Sequence, residues 1–531
     1  MEKLLLLGDE AIAQGALDAG ISGVYAYPGT PSTEITEYIQ RNPEAIERNV
    51  HREWSANEKT AMESALGMSY AGKRTMVCMK HVGLNVAADP FMNSALTGAN
   101  GGIVVTVADD PSMHSSQNEQ DSRFYAKFAG IPLFEPSNQQ EAYDMMFQVF
   151  ELSERYSVPV MVRLTTRLAH SRSGVIRREV QPENSLHLPD DPNQFMLLPA
   201  IARQRYKLLL ARQSRLEEEA ENSPFTVYHD GSDTSFGIIA CGLAYNYLME
   251  SFQGTDCPHP ILKISQYPLP RKQIEQMAAA CDTILVLEEG MPIVEEMLKG
   301  YLRSSSGPVI KGRLDGMLPQ DGELNPDLVA KALGREGKSW AAVPDVLASR
   351  PPELCKGCPH RYAYHAINEA LEQYDKGRVF SDIGCYTLGF LPPFQAINTC
   401  VDMGASITMA KGAADAGMKP SFAVIGDSTF AHSGITGLLD AINENSNIVV
   451  VILDNATTAM TGGQDHAGAG RIEEICKGVG VADEHIRVVA PLPKNHDEMV
   501  QTFEEEIAYE GVSVVIPRRE CIQTLYRKKR Q

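Results

Sequence analysis

Residues Ala423–Phe430 read Ala-Val-Ile-Gly-Asp-Ser-Thr-Phe, and residues Val451–Asn455 read Val-Ile-Leu-Asp-Asn. Each stretch is an apolar run, typical of a buried strand, that ends in oxygen-bearing side chains, and a helix-length segment separates the two. Ligands bind outside the carboxyl ends of the strands in open α/β sheets. Two oxygen donors there, Asp427 and Asn455, suit an octahedral Mg²⁺ that bridges to a diphosphate. The sequence therefore predicts a parallel α/β sheet with a diphosphate clamp at its edge.

The spacing of these two stretches resembles the signature of thiamine-diphosphate (TPP) enzymes. Asn455 follows Asp427 by 28 positions, and the signature is Gly-Asp-Gly, a gap of about this length, and then Asn. Ser428 stands here where the signature has its third residue, Gly. Alone, Gly-Asp-Ser could be an ordinary turn capped by an aspartate, but the paired second half argues against that alternative. The resemblance implies two residue sets, the Mg²⁺ ligands Asp427, Asn455 and Thr457, and the cofactor-binding residues Gly404, Gly426 and Ser428.

Length and composition exclude several classes of protein. The chain has 531 residues, 43% of them hydrophobic, which predicts roughly three domains of about 150 residues each. Its formal net charge of −20 argues against a nucleic-acid-binding surface. No apolar run approaches the roughly 20 residues of a membrane span, and the first ten residues turn acidic too soon for a signal peptide. We expect a cytoplasmic protein that binds neither nucleic acid nor membrane.

Three segments carry the pattern of doubly wound α/β domains, namely residues 1–170, 226–340 and 341–531. Continuous apolar strands alternate there with helices, such as the helix predicted at Thr33–Arg41, which indicates parallel sheets covered on both faces. Residues 171–225 contain several prolines and then a charged stretch. This composition predicts a linker with one exposed helix. The expected fold is therefore α/β, with three doubly wound domains.

Longer strings of the sequence resemble the large subunit of indolepyruvate:ferredoxin oxidoreductase. These strings are Tyr27–Glu34, Met79–Asn85, Ala108–Glu119, Leu354–Arg361, Ser381–Tyr386 and Thr458–Gly462. The resemblance runs in the family's order over essentially all 531 residues. It implies that the three domains are, in chain order, a TPP pyrimidine-binding domain, a transketolase C-terminal-like domain and a TPP diphosphate-binding domain.

The resemblance also implies roles for four residues of the first domain. Glu58 is expected to face N1′ of the aminopyrimidine and to stabilise its imino tautomer, although a helical glutamate alone would be interpreted as a solvated surface residue. Thr30, in the loop Pro28-Gly-Thr-Pro-Ser, is the candidate for contact with cofactor and substrate. His81 and Arg123 are candidates for contacts to the substrate or its carboxylate, and either could equally be a satisfied structural group.

Four cysteines have the order of a proximal 4Fe–4S cluster in this family, Cys355, Cys358, Cys385 and Cys521. One Cys-x-x-Cys turn and two distant loops together offer four thiolates, the usual ligand set of such a cluster. A zinc site or a redox-active pair are alternatives for a Cys-x-x-Cys motif, and zinc would also accept His360. Cys400 is either a substitute ligand or a structural residue.

The sequence differs from many members of the family after Cys521. Many large subunits continue into a ferredoxin-like module with a Cys-x-x-Cys-x-x-Cys-x-x-x-Cys-Pro run, and the ten residues that follow Cys521 here contain no such run. We therefore expect a separate ferredoxin, or a partner subunit, to accept the electrons.

The resemblance implies oxidative decarboxylation of an aromatic 2-oxoacid, such as indolepyruvate or phenylpyruvate. Coenzyme A would take the acyl group, and a smaller beta subunit would complete a heterotetramer. Two other functions compete with this hypothesis. A non-oxidative TPP decarboxylase needs no cluster, so the four cysteines argue against it. A non-catalytic scaffold subunit needs no cofactor site, so Glu58, Asp427 and Asn455 argue against it.

Overall fold

The chain divides into two units, Met1–Ala341 and Ala342–Gln531. The computed structural model describes residues 2–191, 193–252, 255–302, 307–336, 343–348 and 350–529. The division falls next to residue 340, where the sequence predicts the start of the last domain. The first unit holds two large sheets and the second unit holds one. None of the described helices combines the length and the apolar character that a membrane crossing requires.

The first unit alternates strands and helices along most of its length. Its strands are β1 (Lys3–Leu7), β2 (Gly23–Ala26), β3 (Thr75–Lys80), β4 (Ile103–Asp109), β5 (Leu133–Phe134), β6 (Val160–Thr165), β7 (Arg172–Ile176), β8 (Val227–His229), β9 (Phe236–Cys241), β10 (Ile261–Ile264), β11 (Gln266–Tyr267), β12 (Thr283–Leu287) and β13 (Val309–Lys311). Its helices are α1 (Gly8–Asp18), α2 (Thr33–Arg41), α3 (Pro43–Glu47), α4 (Glu58–Tyr70), α5 (His81–Val86), α6 (Ala88–Thr97), α7 (Arg123–Ala129), α8 (Gln139–Tyr156), α9 (Thr166–His170), α10 (Pro199–Glu221), α11 (Ala244–Phe252), α12 (Arg271–Ala280), α13 (Ile293–Tyr301) and α14 (Pro326–Ala332). A short 3₁₀ turn spans Pro111–Met113.

Two mainly parallel sheets and one small antiparallel sheet form from these strands. The larger sheet has the order β11-β5-β6-β4-β3-β2, and all its pairs are parallel except that of β11 with β5. The next sheet has the order β13-β12-β9-β10-β8, and only β8 is antiparallel in it. β1 and β7 form a separate antiparallel pair. The predicted α/β class with parallel sheets is confirmed.

The second unit contains one parallel sheet. Its strands are β14 (Val379–Ser381), β15 (Phe422–Gly426), β16 (Ile448–Leu453), β17 (Ile486–Val489) and β18 (Val512–Pro517), in the order β14-β15-β16-β18-β17. Its helices are α15 (Pro359–Ala370), α16 (Ala405–Asp415), α17 (Asp427–Thr429), α18 (Ile435–Asn443), α19 (Ile472–Val479), α20 (His496–Ala508) and α21 (Ile522–Lys528). Short 3₁₀ turns span Cys385–Phe390, Ala459–Thr461, Asp483–His485 and Pro493–Asn495, and a π-helical turn spans Phe430–Gly434.

Burial on both faces explains why the central strands are apolar throughout. Every residue of β16 is buried. Because successive side chains of a strand point to opposite faces, Val449, Val451 and Leu453 pack into one core. Ile448, Val450 and Ile452 pack into the other. β4 divides its side chains between two cores in the same way. Both faces of the sheets that contain β4 and β16 are therefore covered at these strands.

The segment 171–225, which the sequence predicts to be a linker with an exposed helix, contains regular structure. β7 pairs with β1 along its whole length. The helix α10 buries Leu209, Leu216 and Ala220. These residues recur at intervals of seven and four, so they lie along one face of the helix. One face of α10 therefore packs on the first unit, while its many charged residues face outward.

We expect Glu289→Gln to remove a pH-dependent loss of stability. Burial raises the pKa of Glu289 from 4.5 to about 7. The folded state therefore holds the Glu289 proton more tightly than the unfolded state does. The stability that this gives is fully present at pH values below the pKa that Glu289 has in the unfolded chain. That contribution, up to about 3 kcal/mol, is lost as the pH rises through the folded pKa. The variant's thermal midpoint should therefore rise relative to wild type between about pH 5 and about pH 8.

The matched control for this prediction is Glu275→Gln, which changes an exposed glutamate of α12. Its midpoint should track that of wild type over the same pH range. Glutamine at position 289 keeps an oxygen for the Leu324 backbone N–H, which donates to Glu289 Oε1 at 3.0 Å. A constant difference between Glu289→Gln and wild type at every pH would contradict the prediction.

Candidate functional site

Asp427 and Asn455 leave neighbouring parallel strands and lie in contact. β15 pairs with β16 so that Gly426 stands opposite Leu453. The Asn455 backbone N–H donates to Asp427 Oδ2 at 3.2 Å. Both residues are buried. The structure thus brings together the Asp427 carboxylate and the Asn455 backbone, and these are the two residues that the sequence predicts as the diphosphate clamp.

The loop after β16 folds back on Asn455. The Thr457 backbone N–H donates to Asn455 Oδ1 at 3.1 Å, and Thr457 Oγ1 donates to the Gln464 carbonyl oxygen at 3.1 Å. Ser428 Oγ lies 2.9 Å from Thr458 Oγ1. The three predicted residues Ser428, Asn455 and Thr457 are therefore part of one hydrogen-bonded group.

His466 is a member of this group that the sequence did not reveal. Its Nε2 lies 3.1 Å from Asp427 Oδ2, and both side chains are almost completely buried. Asp427 Oδ1 accepts a hydrogen bond from the Ser428 backbone N–H at 2.9 Å. Asp427 is therefore fixed from two sides. His466 follows the glycine pair at Gly462 and Gly463, but nothing in that loop distinguishes it from a surface turn.

Gly404 begins α16 in a conformation that favours glycine. Its φ is +94°, and a Cβ there would lie 2.6 Å from Ser433 Cβ. The buried Asp382 carboxylate accepts hydrogen bonds from the backbone N–H groups of Gly404 and Ser406, each at 3.2 Å. Burial raises the pKa of Asp382 to about 6. Asp382, which the sequence did not single out, thus fixes the N-terminus of the helix at which the cofactor is predicted to bind.

The four predicted cysteines form one electrostatic group. The Cys358 backbone N–H donates to the Cys355 carbonyl oxygen at 3.0 Å, as expected of a Cys-x-x-Cys turn. Burial, with a further contribution from Cys355 and Cys521, raises the pKa of Cys358 to about 11. Burial likewise raises the pKa of Cys385, and its neighbours Cys358, Cys521 and Cys355 add to that rise. Four thiolates at this spacing would repel one another unless a cation lay among them.

Cys400, the predicted substitute ligand, has a different environment. It is exposed. Its thiol is partly buried although the residue as a whole is exposed, and this burial, followed by the nearby Asp382, raises the pKa of Cys400. Cys400 is not among the principal causes of the raised pKa of Cys358 or of Cys385. This environment favours the structural alternative for Cys400.

His360 lies between the cysteines and the clamp. Its Nε2 is 3.4 Å from Cys385 Sγ and 3.2 Å from Asn455 Nδ2. Burial lowers the pKa of His360 to about 4, so the ring is neutral at neutral pH. The Asn455 carbonyl oxygen also accepts a hydrogen bond from the Cys521 backbone N–H at 3.0 Å. Asn455 therefore contacts both the cysteine loops and Asp427.

In the first unit, Glu58 is buried at the start of α4. Only 5% of its surface is exposed, which differs from the solvated glutamate that its helical position alone would suggest. The side chain of Asn57 caps the helix by accepting a hydrogen bond from the Thr60 backbone N–H. A Cβ at Gly83 would lie 2.6 Å from Glu58 Oε1. Glycine in α5 therefore allows the carboxylate to lie directly against the helix backbone.

Lys80 connects Glu58 with the Thr30 loop, and sequence reasoning missed it. Lys80 Nζ donates to the Ser115 carbonyl oxygen at 3.0 Å. Ser115 Oγ in turn donates to the Thr30 carbonyl oxygen at 3.3 Å. Burial lowers the pKa of Lys80, against the opposing charges of Asp110 and Glu58. A buried cation beside a glutamate and a tight loop is typical of a binding site.

His81 is buried next to this group. Its Nε2 lies 3.3 Å from the Asn118 carbonyl oxygen. Its Nδ1 is buried without a hydrogen-bond partner among the described residues. Burial lowers the pKa of His81. The ring is therefore held by one nitrogen, and the other is available to a ligand.

Arg123 has a structural environment. Its guanidinium donates to Asp121, to Glu288 Oε2 at 2.9 Å, and to the carbonyl oxygens of Glu289 and Met291 at 3.0 and 2.7 Å. Only 2% of the residue is exposed. The sequence left open whether Arg123 binds substrate or is a satisfied structural group, and the geometry favours the second alternative.

Two protein families match the chain. Residues 14–202 match the family described as "Pyruvate flavodoxin/ferredoxin oxidoreductase, thiamine diP-bdg". Residues 382–516 match "Thiamine pyrophosphate enzyme, C-terminal TPP binding domain". The first match contains Glu58 and Lys80, and the second contains Asp427 and Asn455.

Whole-chain similarity is found to several archaeal proteins. The chain is 41% identical to the indolepyruvate oxidoreductase subunit IorA of Archaeoglobus fulgidus, over 100% of this chain and 88% of that protein. It is 40% identical to the same subunit of Pyrococcus abyssi, over 99% of this chain and 86% of that protein. Among solved structures, a 2-oxoglutarate:ferredoxin oxidoreductase from Magnetococcus marinus has a TM-score of 0.50 and 16% identity. That similarity covers 62% of this chain and 65% of the other, and it supports the α/β fold alone.

Proposed function

Because the chain belongs to the family of indolepyruvate oxidoreductase IorA subunits, we propose that it oxidises aromatic 2-oxoacids. The general reaction is oxidative decarboxylation by a TPP enzyme. The substrate would be of the indolepyruvate or phenylpyruvate type, coenzyme A would take the acyl group, and ferredoxin would take the electrons. The main support for this proposal is that Asn455 contacts both Asp427 and the cysteine loops. This residue connects the diphosphate clamp with the four cysteines that would bind the cluster.

The second unit offers a suitable donor set for Mg²⁺ and diphosphate. Asp427 and Asn455 supply a buried carboxylate and a buried amide oxygen, and the Thr457 carbonyl oxygen would be the third ligand. Mg²⁺ prefers such oxygen ligands and few protein groups. Gly404, Gly426 and Ser428 would bind the cofactor beside them. Thiamine diphosphate, when bound, supplies the carbanion chemistry of the decarboxylation.

Glu58 would hold a proton at N1′ of the aminopyrimidine. A glutamate suits this role when it is buried, because water then does not compete for the proton. The close approach of Gly83 supports a fixed carboxylate position. Thr30 and His81 would contact the substrate, and Lys80 is near enough to Glu58 and to the Thr30 loop to add a positive charge there.

A 4Fe–4S cluster on Cys355, Cys358, Cys385 and Cys521 would accept the electrons. A tetrahedral zinc ion with Zn–S bonds of about 2.3 Å would hold its sulfur ligands about 3.8 Å apart. No three ligand atoms from these cysteines and His360, all of them described residues, lie within 4.8 Å of one another. These ligand atoms are therefore not gathered around one point as a single tetrahedral zinc ion would require, which supports a multi-iron cluster. The grouping of all four thiols also argues against a simple redox pair.

The same features weigh against the two competing functions. A non-oxidative decarboxylase would have no use for four grouped thiols. A non-catalytic scaffold would have no use for a buried Glu58 or for the clamp at Asp427 and Asn455. A smaller beta subunit and a ferredoxin would be the partners, and by analogy with the family the assembly would be a heterotetramer.

Glu58→Gln should abolish turnover while TPP binding is retained. Glutamine has nearly the same shape, but it cannot hold a proton at N1′, so we expect a loss of at least about 100-fold in kcat. Turnover is measured with indolepyruvate and coenzyme A by reduction of a dye, and TPP binding is measured by calorimetry. The control is Glu63→Gln, an exposed residue of the same helix. Equal turnover of Glu58→Gln and wild type would remove Glu58 from the mechanism.

Cys385→Ser should lose cluster iron, and Cys400→Ser should keep it. The first variant removes one of four proposed ligands, and the second removes an exposed thiol outside the group. Protein purified without oxygen is compared by iron analysis and by its visible spectrum before and after dithionite. Equal iron in the two variants would contradict the ligand set. Colourless, iron-free wild-type protein that still binds TPP would instead favour the non-oxidative decarboxylase.

A further inference from the structure

A separate cluster of ligand-type side chains lies in the first unit. Three side chains there each offer one ligand atom, and these three atoms all lie within 4.8 Å of one another. The residues are Asp9, Glu34 and His170. Asp9 and Glu34 are the second residues of α1 and α2, and His170 is the last residue of α9. In the part of the chain that the structure describes, no other three histidine, cysteine, aspartate or glutamate side chains are grouped so closely.

Asp9 is the most unusual member of the cluster. It is completely buried, and neither of its carboxylate oxygens has a hydrogen-bond partner among the described residues. Burying a carboxylate without such partners costs several kcal/mol, so native structures rarely contain one. Burial, followed by the charge of Glu34, raises the pKa of Asp9 well above its usual range. A cation at this point would offset both effects.

The other two side chains complete the cluster towards solvent. Glu34 Oε2 is buried and, within the part of the chain that the structure describes, also lacks a hydrogen-bond partner. His170 Nε2 lies 3.6 Å from it, which is longer than a hydrogen bond. Two ligands of one ion with bonds of about 2.1 Å lie roughly 3.0 to 3.4 Å apart. The His170 and Glu34 side chains are 36% and 32% exposed, so an ion can enter and water can complete its coordination.

We propose that Asp9, Glu34 and His170 bind a divalent transition-metal ion. Two carboxylate oxygens and one imidazole nitrogen suit an ion such as Mn²⁺ or Zn²⁺, whereas Mg²⁺ and Ca²⁺ prefer oxygen ligands alone. The ion has a structural role. α2 begins directly after the Thr30 loop, so the ion ties that loop to α1 and α9.

The test is a titration with Mn²⁺ of the full-length protein loaded with Mg²⁺ and TPP. Electron paramagnetic resonance measures how much Mn²⁺ remains free at each step. Mn²⁺ is the probe because it has little affinity for thiolates. Wild-type protein should bind one Mn²⁺ that excess Mg²⁺ does not displace. Asp9→Asn and His170→Gln should each weaken this binding by at least about tenfold, since each removes one of three protein ligands.

His259→Gln is the matched control. His259 Nδ1 lies 3.6 Å from Asp233 Oδ2, the same separation as in the proposed site, but this pair has no third ligand-type side chain within 4.8 Å among the described residues. The control should bind Mn²⁺ as wild type does. If Asp9→Asn does not fold, the test relies on His170→Gln, which should fold because the His170 side chain is partly exposed. The proposal would be overturned if His170→Gln bound Mn²⁺ as wild type does. It would also be overturned if wild-type protein bound no Mn²⁺ that resists displacement by Mg²⁺.

Discussion

The parallel pairing of β15 with β16 is the constraint on which the site of the second unit depends. It sets Asp427 and Asn455 side by side where the two strands end. A shift of one residue in this register would turn either side chain to the opposite face of the sheet. From this position Asn455 also reaches His360 through its side chain and Cys521 through its backbone carbonyl. One pair of strands therefore fixes both the clamp and its contact with the cysteine loops.

The parts of the fold and the site that depend on local pattern were predictable from the sequence. The apolar runs of β4 and β16 predicted strands buried on both faces, and the helix at Thr33–Arg41 has the predicted bounds. Asp427 and Asn455 were predictable as a pair because the ends of neighbouring parallel strands meet at one edge of the sheet. The sequence predicts one exposed helix in the segment 171–225, and α10 is that helix, but the three small or apolar residues that it buries along one face are obscured in the sequence by its charged residues.

The remaining residues depend on contacts between distant parts of the chain. Asp382 accepts from backbone groups at Gly404 and Ser406, and His466 reaches back to Asp427, with no local motif at either end. Arg123 shows the opposite case. The family resemblance made Arg123 a candidate for a substrate contact and left a structural role open, and its partner Glu288 lies 165 positions along the chain. Sequence spacing alone cannot distinguish a cation that binds a ligand from one that a distant carboxylate neutralises.

The diphosphate clamp and the proposed cluster are neighbours that share Asn455. Electron paramagnetic resonance of the dithionite-reduced protein tests this directly when Mn²⁺ with TPP replaces Mg²⁺. A paramagnetic ion at Asp427 should speed the spin relaxation of the reduced cluster in wild type. The effect should be absent in Asp427→Asn, which also corrects for any Mn²⁺ bound elsewhere. Identical cluster relaxation with Mg²⁺ and with Mn²⁺ in wild type, with TPP bound in both, would show that the cluster does not lie beside the clamp.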